Sequence, residues 1–225
     1  MELIARARFK YLPRAVKWML PVSGRADLIK LGSVYGGWVV PASLLNSASI
    51  CYCAGVGEDV SFDLALIERF GCDVHAFDPT PRAVRFVQER VNEPKFHFLP
   101  VGVWSADETK RFYAPDRADN VSHSILNLRS MGDYFEAPCK SLPTLMRELG
   151  HDRIDLLKLD IEGAEYAVLD SLIEHRIQPK ILAVEFDQPY PIRKTLAAAR
   201  SFMKLGQYDL VSIDLWNFTF VRRGL

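Results

Sequence analysis

From about residue 48 onward, short apolar runs alternate with segments in which apolar residues recur at helical spacing. Five strands are predicted for the runs SICYCAGVG, DVHAFDP, KFHFLPVGVW, IDLLKLDIE and KILAVEFD. The intervening segments, such as SFDLALIERFG and PRAVRFVQERV, predict helices, the first ending at Gly71 and the second beginning near Pro81. Strands that alternate with helices predict an α/β fold, in which a mainly parallel sheet carries helices on both faces.

The end of the chain departs from this alternation. The runs YDLVSIDL and FTFVRR follow each other with only a short turn around Trp216 and Asn217 and with no helix between them. Two consecutive strands joined by a short turn predict an antiparallel hairpin. We therefore expect a Rossmann-like, doubly wound and mainly parallel sheet that closes with a C-terminal antiparallel hairpin.

Two parts of the chain are less regular. Between about residues 105 and 138, only RFYAP and SHSIL are candidates for short extra strands, before SLPTLMRELG predicts a helix. The first 20 residues intersperse basic and apolar positions, which predicts an amphipathic helix packed on the domain or over its cleft. Contact of this helix with a membrane surface is the less favoured alternative. We expect an N-terminal helical or cap segment over residues 1–48 and one domain over residues 49–225.

Composition narrows the class of protein. The chain has 28 Lys and Arg and 28 Asp and Glu, so its formal net charge is zero. Phosphate binding usually needs a basic excess, and a nucleic-acid partner is therefore disfavoured. No apolar run approaches the roughly 20 residues of a transmembrane helix. The cysteines Cys51, Cys53, Cys72 and Cys139 lack CxxC or zinc-site spacing. Three of them fall within apolar runs, as buried reduced thiols do, and a reducing cytoplasm is therefore the expected location.

A glycine turn follows the first predicted strand. In open α/β sheets a ligand lies beyond the carboxyl ends of the strands, and Gly55 and Gly57 would let it approach the main chain there. Asp78 ends the second strand about 20 residues later, at the spacing typical of an acid that binds ribose hydroxyls. Capping of the next helix is the alternative role for Asp78. Together with Glu58 after the turn and Gly102 in the third strand, these residues form the predicted cofactor-binding set.

The segment LLKLDIEGAEYAVLDSL, residues 156–172, strongly resembles the signature of the FkbM-type methyltransferases, in which an apolar strand, Asp-x-Glu-Gly-x-Glu and a helix follow in that order. VGVWSADETKRFYAP, SHSIL, ILAVEFD and YGGWVVP also look similar to that family, so the resemblance runs from about Gly32 to Val221. It implies a class I methyltransferase fold, which the C-terminal hairpin also favours, and S-adenosylmethionine as the cofactor. It further implies O-methylation of a hydroxyl group on a sugar or another small secondary metabolite.

The first glycine motif departs from the general pattern of class I methyltransferases, which has an acid and then three glycines at alternate positions. The corresponding residues here are Cys51, Cys53, Gly55 and Gly57. The acid that Cys51 replaces normally helps to hold the amino group at the methionine end of the cofactor. Glu58 or Asp59 could substitute for that acid.

Methyl transfer to a hydroxyl needs an aligned nucleophile and removal of its proton, by a base or with help from a metal. Carboxylates follow the fourth and fifth predicted strands at Asp160, Glu162, Glu185 and Asp187. Asp160 is the first candidate for the base because it follows the apolar run LLKL, and Glu185 is the next. For Asp160 the alternative role is to cap the helix that begins near Gly163. These carboxylates could bind a divalent cation, but no His adjoins them in sequence and a metal is not favoured.

Three functions are consistent with these features. The first is an S-adenosylmethionine-dependent O-methyltransferase with a hydroxylated small molecule as its acceptor. The second is a nicotinamide-dependent oxidoreductase on the same kind of sheet, which the C-terminal hairpin and the Asp-x-Glu-Gly block disfavour. The third is a catalytically silent nucleotide-binding module, which the cysteines of the first motif favour. Binding of S-adenosylhomocysteine or NAD would separate them.

Overall fold

The fold is seen in a computed structural model, which describes residue 16 and residues 18–113, 134–186 and 192–225. The strands are β1 (Leu28–Leu31), β2 (Trp38–Pro41), β3 (Ile50–Ala54), β4 (Asp73–Phe77), β5 (Phe96–Leu99), β6 (Gly102–Trp104), β7 (Glu108–Tyr113), β8 (Tyr134–Ser141), β9 (Leu156–Leu159), β10 (Ile181–Glu185), β11 (Tyr208–Asp214) and β12 (Asn217–Arg222). The helices are α1 (Ser61–Phe70), α2 (Pro81–Arg90), α3 (Leu142–Leu149), α4 (Glu165–Glu174) and α5 (Ile192–Leu205), with a 3-10 turn at Ala42–Leu44.

Seven strands form the central sheet, in the order β11-β12-β10-β9-β3-β4-β5. Strands β10, β9, β3, β4 and β5 pair in parallel, while β12 runs antiparallel between β10 and β11. The predicted Rossmann-like α/β sheet and its C-terminal hairpin are therefore confirmed, and the arrangement is of the class I methyltransferase type. The chain passes from β3 to β4 and β5 and then returns to β9 on the other side of β3. A ligand is expected at that switch in strand order, beyond the carboxyl ends of β3 and β9.

Local signals in the sequence explain where the helices begin and end. Helix α1 stops at Gly71, whose φ of 68° lies in the left-handed region that favours glycine. Thr80 and Ser141 precede α2 and α3, and each side-chain oxygen accepts a hydrogen bond from the backbone N–H three residues later. The helices therefore start and stop close to the predicted residues.

The predicted third strand, KFHFLPVGVW, is two strands in the structure. Strand β5 ends at Leu99 and β6 begins at Gly102, because Pro100 between them has no N–H to donate to a neighbouring strand. Strand β5 stays in the central sheet, whereas β6 joins β8 and β7 in a separate three-stranded sheet. The extra strand predicted at RFYAP corresponds to the end of β7, and SHSIL lies outside the described residues.

The segment before the central sheet contains an antiparallel hairpin, β1–β2, that the sequence analysis did not predict. Trp38 and Val40 of β2 are buried in the same apolar cluster as Phe62 of α1. Thr219 Oγ1 in β12 donates a hydrogen bond to the Val39 carbonyl oxygen at 2.7 Å. The hairpin is thereby packed on the central sheet. The predicted amphipathic helix falls mostly on residues 1–15, which are outside the described part of the chain.

Most of the apolar core lies in two clusters of buried side chains packed against the central sheet, and a small third cluster lies on the three-stranded sheet. One cluster includes Leu157 and Phe218, and the other includes Cys51 and Cys53. All four cysteines are free and buried, as predicted for small core residues. Among the described helices, none combines the length and apolar character that a bilayer crossing requires.

Candidate functional site

A cavity of about 730 Å³ opens at the carboxyl ends of the central strands. Its walls come from the glycine turn after β3, the loops after β4, β9 and β10, the β1–β2 turn and the turn of the C-terminal hairpin. The structure brings all seven predicted site residues to its lining, namely Gly55, Gly57, Glu58, Asp78, Gly102, Asp160 and Glu185. Their shared position supports one site, while the separate role of each residue stays a prediction.

The two glycines of the turn have different physical reasons to be glycine. Gly55 has a φ of 85°, and a Cβ on it would lie 1.7 Å from the carbonyl oxygen of Asp160. The turn therefore packs directly against the loop that carries the first candidate base. Gly57 has a φ of 55°, but a Cβ there would meet nothing within 4 Å. The space beside Gly57 is open to a ligand, as a close approach to the main chain requires.

Asp78 is buried and accepts four hydrogen bonds. Its Oδ2 accepts from the backbone N–H groups of Val56 and Gly57 at 3.0 and 2.9 Å. Its Oδ1 accepts from the backbone N–H and the hydroxyl of Thr80 at 2.8 and 2.7 Å. The helix cap of α2 is Thr80 and not Asp78, so the capping alternative for Asp78 is wrong. Asp78 instead joins the glycine turn to the β4–α2 turn, and a ribose hydroxyl would have to share these acceptor positions.

We expect Asp78→Asn to weaken cofactor binding by about ten- to a hundredfold, because hydrogen bonds to a charged group contribute roughly 1.5–3 kcal/mol. The asparagine NH₂ group would also face backbone N–H donors, so the apo protein should lose stability. Calorimetric titration with S-adenosylhomocysteine and urea unfolding would measure the two effects separately.

The matched control for Asp78 is Ser141→Ala, which removes the cap of α3 away from the cavity. It should cost about 1 kcal/mol of stability and leave ligand affinity unchanged. If Asp78→Asn likewise lowers stability but leaves the affinity for S-adenosylhomocysteine unchanged, Asp78 is a structural residue and its predicted role at the ribose is wrong.

Two further carboxylates follow the glycine turn. Glu58 Oε2 forms an exposed ion pair with Arg82 at 2.7 Å. Asp59 accepts hydrogen bonds from the Ser33 hydroxyl at 2.6 Å and from the Ser61 backbone N–H at 2.8 Å. Although burial opposes it, these serine bonds lower the pKa of Asp59. Asp59 thus holds the β1–β2 turn against the start of α1.

Lys158 lies at the floor of the cavity, although it comes from the middle of a buried strand. Its Nζ donates to the Gly55 carbonyl oxygen at 2.6 Å and lies 3.3 Å from Asp160 Oδ2. Burial opposes the charge of Lys158, but the carboxylates of Asp160 and Asp63 together raise its pKa above the usual value. The ammonium group is therefore held charged between the glycine turn and the candidate base.

Glu185 and Asp160 form a carboxyl pair at the ends of the adjacent parallel strands β10 and β9. Burial, the neighbouring charge of Asp160 and a hydrogen bond to Asp160 raise the pKa of Glu185 to about 9. Two close carboxyl groups rarely both ionise, because like charges disfavour the second ionisation. At neutral pH Glu185 is accordingly protonated and can donate to the carboxylate of Asp160.

The loop after β9 is organised by Glu165, which is fully buried at the start of α4. Its Oε1 accepts hydrogen bonds from the backbone N–H groups of Ile161 and Gly163, both at 3.1 Å. The N-cap residue of α4 is Ala164, and no side chain caps the helix. The alternative in which Asp160 caps this helix is therefore wrong, and its carboxylate lines the cavity instead.

Two buried charged residues of the cavity, Lys158 and Asp63, were missed in the sequence, and each carried a signal. Lys158 interrupts the apolar run LLKL, where a charge needs partners. Asp63 falls on the apolar face of α1, at helical spacing from the buried residues Leu66 and Ile67. A charge on a buried face is uncommon unless it is paired, and that mismatch marks both positions.

No three His, Cys, Asp or Glu side chains within residues 18–113, 134–186 and 192–225 are grouped so as to hold a metal ion. Asp187, one of the four carboxylates considered in the sequence, lies outside these ranges. Of the carboxylates after β9 and β10, Asp160 interacts with both Lys158 and Glu185.

The chain has curated relatives at modest sequence identity and resembles solved structures at low sequence identity. The chain is 29% identical to human "Probable methyltransferase-like protein 24" over 143 residues and 27% identical to the rat protein over 137 residues. These matches cover 63% and 60% of this chain but only 33% and 31% of the relatives, so the chain spans about a third of their length. Fibrillarin from Methanococcus jannaschii aligns at 12% identity over 92% of this chain and 88% of that chain, with a TM-score of 0.45.

The match to a family model is more extensive. The model of the methyltransferase FkbM domain matches residues 40–210, a range that contains β3 to α5 and all seven predicted site residues. It includes the Asp-x-Glu-Gly-x-Glu block after β9, on which the resemblance in the sequence depends. Because most of the chain is matched, the protein belongs to the FkbM methyltransferase domain family.

Proposed function

We propose that this protein is an S-adenosylmethionine-dependent O-methyltransferase whose acceptor is a hydroxyl group on a sugar or another small secondary metabolite. The observation that carries this proposal is the carboxyl pair of Asp160 and Glu185, which lines the same cavity as the glycine turn. A base beside a nucleotide-type turn is what methylation of a hydroxyl needs. Membership in the FkbM family supports the same chemistry.

The residues around the glycine turn fit the proposed cofactor. The cavity volume of about 730 Å³ lies within the range of roughly 300–1,000 Å³ that is usual for ligand pockets. Gly55 and Gly57 would bring the main chain close to the cofactor, and Asp78 would bind its ribose. Glu58 and Gly102 complete the proposed contacts. S-adenosylmethionine, when bound, supplies a methyl group on a sulfonium.

The acid–base chemistry is assigned to the carboxyl pair. As the acceptor oxygen forms its new bond to the methyl carbon, the carbon–sulfur bond of the sulfonium would break to leave a neutral thioether, and the proton of the acceptor would pass to the carboxylate of Asp160. Glu185 keeps its own proton and donates a hydrogen bond that orients Asp160. Lys158 holds the other side of the Asp160 carboxylate, which keeps the base in one position. Positioning of this kind, rather than a strongly basic group, is the main contribution of these residues.

Exposed apolar side chains at the cavity support a small-molecule acceptor. Val34 and Tyr35 of the β1–β2 turn are 99% and 86% exposed, and Leu215 of the C-terminal hairpin is 54% exposed. All three line the cavity, together with the ion pair of Lys30 and Asp214. An apolar patch beside an ion pair suits the ring and the hydroxyl groups of a sugar or metabolite. The absence of a nucleic-acid partner and the division into residues 1–48 and 49–225 stay predictions.

The first test is ligand-dependent thermal stability. S-adenosylhomocysteine should raise the melting temperature of the purified protein, because a ligand that binds only the folded state stabilises it. NAD at the same concentration should have no effect. A shift with NAD and none with millimolar S-adenosylhomocysteine would exclude the methyltransferase and favour the oxidoreductase. No shift with either would favour the catalytically silent module.

The raised pKa of Glu185 predicts an alkaline limit to activity. Above about pH 9 Glu185 should ionise, lose its hydrogen bond to Asp160 and lower turnover. Glu185→Gln keeps a donor that cannot ionise, so its turnover at pH 7.5 should stay within about tenfold of the wild type. The plot of its turnover against pH should no longer fall near pH 9. Glu174→Gln, on the exposed end of α4, is the control and should keep the wild-type profile. If the turnover of Glu185→Gln still falls near pH 9, the ionisation of another group causes that fall.

A further inference from the structure

Asp63 has no part in the chemistry described above, yet it lines the same cavity. It lies in the first turn of α1, and the residue is only 2% exposed. Its Oδ1 atom is buried and has no hydrogen-bond partner in the part of the chain that the structure describes. A buried carboxylate is costly unless its oxygens are paired, so this atom indicates a missing donor.

The groups around Asp63 do not supply that donor. Burial raises the pKa of Asp63 to about 6, although the charge of Lys158 opposes the shift. The Lys158 ammonium lies 2.6 Å from the Gly55 carbonyl oxygen and 3.3 Å from Asp160 Oδ2, and among the described residues it forms no hydrogen bond or ion pair with Asp63. The neighbouring Cys53 thiol lowers the pKa of Asp63, but a thiol is a weak donor. A cationic donor from a ligand would satisfy the remaining oxygen and favour the charged form of Asp63.

The other carboxylates near the glycine turn are already occupied. Glu58 is paired with Arg82, and Asp59 is held by Ser33 and Ser61. Asp78 accepts four hydrogen bonds from the protein. Asp63 differs from them because it combines near-complete burial, an unpaired oxygen and a position on the cavity wall.

The sequence of the first motif explains why such a residue is needed. The position where class I methyltransferases carry an acid is Cys51, whose side chain is fully buried beside Cys72 with 3.7 Å between the sulfur atoms. A thiol in that environment is a poor acceptor for an ammonium group. Asp63 lies one element further along the chain and contacts Cys53, the next residue of the same motif.

We propose that Asp63 binds the α-ammonium group at the amino-acid end of the cofactor, and so replaces the acid that is missing at Cys51. This inference rests on the proposed cofactor and specifies how its amino-acid end is held. The carboxylate comes from helix α1 instead of strand β3. Glu58 and Asp59 then have other roles, in an ion pair with Arg82 and in holding the β1–β2 turn.

The test compares two ligands that differ at the amino-acid end. S-adenosylhomocysteine carries the ammonium group, whereas 5′-methylthioadenosine has the same nucleoside and thioether but no amino-acid end. Calorimetry should show that Asp63→Asn weakens S-adenosylhomocysteine by at least about tenfold, the scale of a hydrogen bond between charged groups. Its affinity for 5′-methylthioadenosine should stay within about twofold, which also shows that the variant is folded. Asp59→Asn should leave the ratio of the two affinities as in the wild type.

A second measurement needs no variant. The wild-type protein should bind S-adenosylhomocysteine at least about tenfold more tightly than its analogue in which the amine is replaced by hydrogen. Equal affinities of the wild type for these two ligands would overturn the role of Asp63 and leave the cofactor assignment intact. The same conclusion would follow if the ratio of the affinities for S-adenosylhomocysteine and 5′-methylthioadenosine changed in Asp59→Asn but not in Asp63→Asn. Failure of the wild type to bind any of the adenosyl ligands would overturn the proposed function itself, and with it the role of Asp63.

Discussion

Asp160→Asn is expected to lower turnover by at least about a hundredfold while the affinity for S-adenosylhomocysteine changes little. Loss of a general base usually costs a factor of about 10²–10⁴, and asparagine cannot take the proton of the acceptor hydroxyl. The variant should fold, because Lys158 keeps its hydrogen bond to the Gly55 carbonyl oxygen and its interaction with Asp63. Asparagine also keeps the shape of the side chain, so the loop after β9 should be unchanged.

The measurement is turnover on an acceptor found by screening sugars and hydroxylated metabolites, with calorimetry of ligand binding in parallel. Asp170→Asn, on the exposed side of α4, serves as a charge-matched control and should keep wild-type turnover. Normal turnover in Asp160→Asn would exclude Asp160 as the base and make Glu185 the next residue to test.

A chelator distinguishes the base from a metal-assisted mechanism. If Asp160 acts as the base without a metal, EDTA should leave the activity of the wild type unchanged. If a divalent cation bridges Asp160 and Glu185, EDTA should abolish activity and magnesium should restore it. The raised pKa of Glu185, which keeps this residue protonated at neutral pH, favours the first result.

The second large effect is expected for Gly55→Ala. The added Cβ would lie 1.7 Å from the carbonyl oxygen of Asp160, in a backbone conformation with φ of 85°. The left-handed backbone costs roughly 1–2 kcal/mol and overpacking about 1–3 kcal/mol, so the free energy of unfolding should fall by about 2–5 kcal/mol. Any relief of the clash moves Asp160, and turnover should therefore fall together with stability.

Gly57→Ala is the matched control, because its φ is also positive but a Cβ would meet nothing within 4 Å. It should lose only about 1–2 kcal/mol of stability. It should nevertheless weaken S-adenosylhomocysteine, since the methyl group would enter the space assigned to the cofactor. Urea unfolding of both variants measures the difference, and equal losses of stability would contradict the packing of Gly55 against Asp160.

The fold could be predicted from the sequence because it depends on local and periodic signals. Apolar runs, helical spacing and helix stops such as Gly71 indicate strands and helices wherever they occur, and two consecutive strands already indicate the C-terminal hairpin. The β1–β2 hairpin was missed because its strands are only four residues long and carry little periodicity. The break between β5 and β6 was missed although Pro100 signalled it.

The sequence alone also indicated seven of the residues that gather at the site, although it missed Lys158 and Asp63. Parallel strands end at the same edge of a sheet, so residues that follow β3, β4, β9 and β10 must lie near one another, and the cavity lining contains all seven that were named. The family resemblance added the methyl-transfer chemistry, which the spacing of residues does not contain.

Only the tertiary structure decided which partners each charged residue of this site has and which of these residues are protonated. The hydrogen bonds from Val56 and Gly57 to Asp78, the bond from Lys158 to the Gly55 carbonyl oxygen, and the position of Asp63 beside Cys53 and Lys158 all join residues on different elements. A sequence states which carboxylates exist, but the protonation and partners of each depend on burial and on distances of a few ångströms between elements that are far apart in the chain. For that reason the assignment of Asp63 became accessible only when α1, β3 and β9 were seen packed around one cavity.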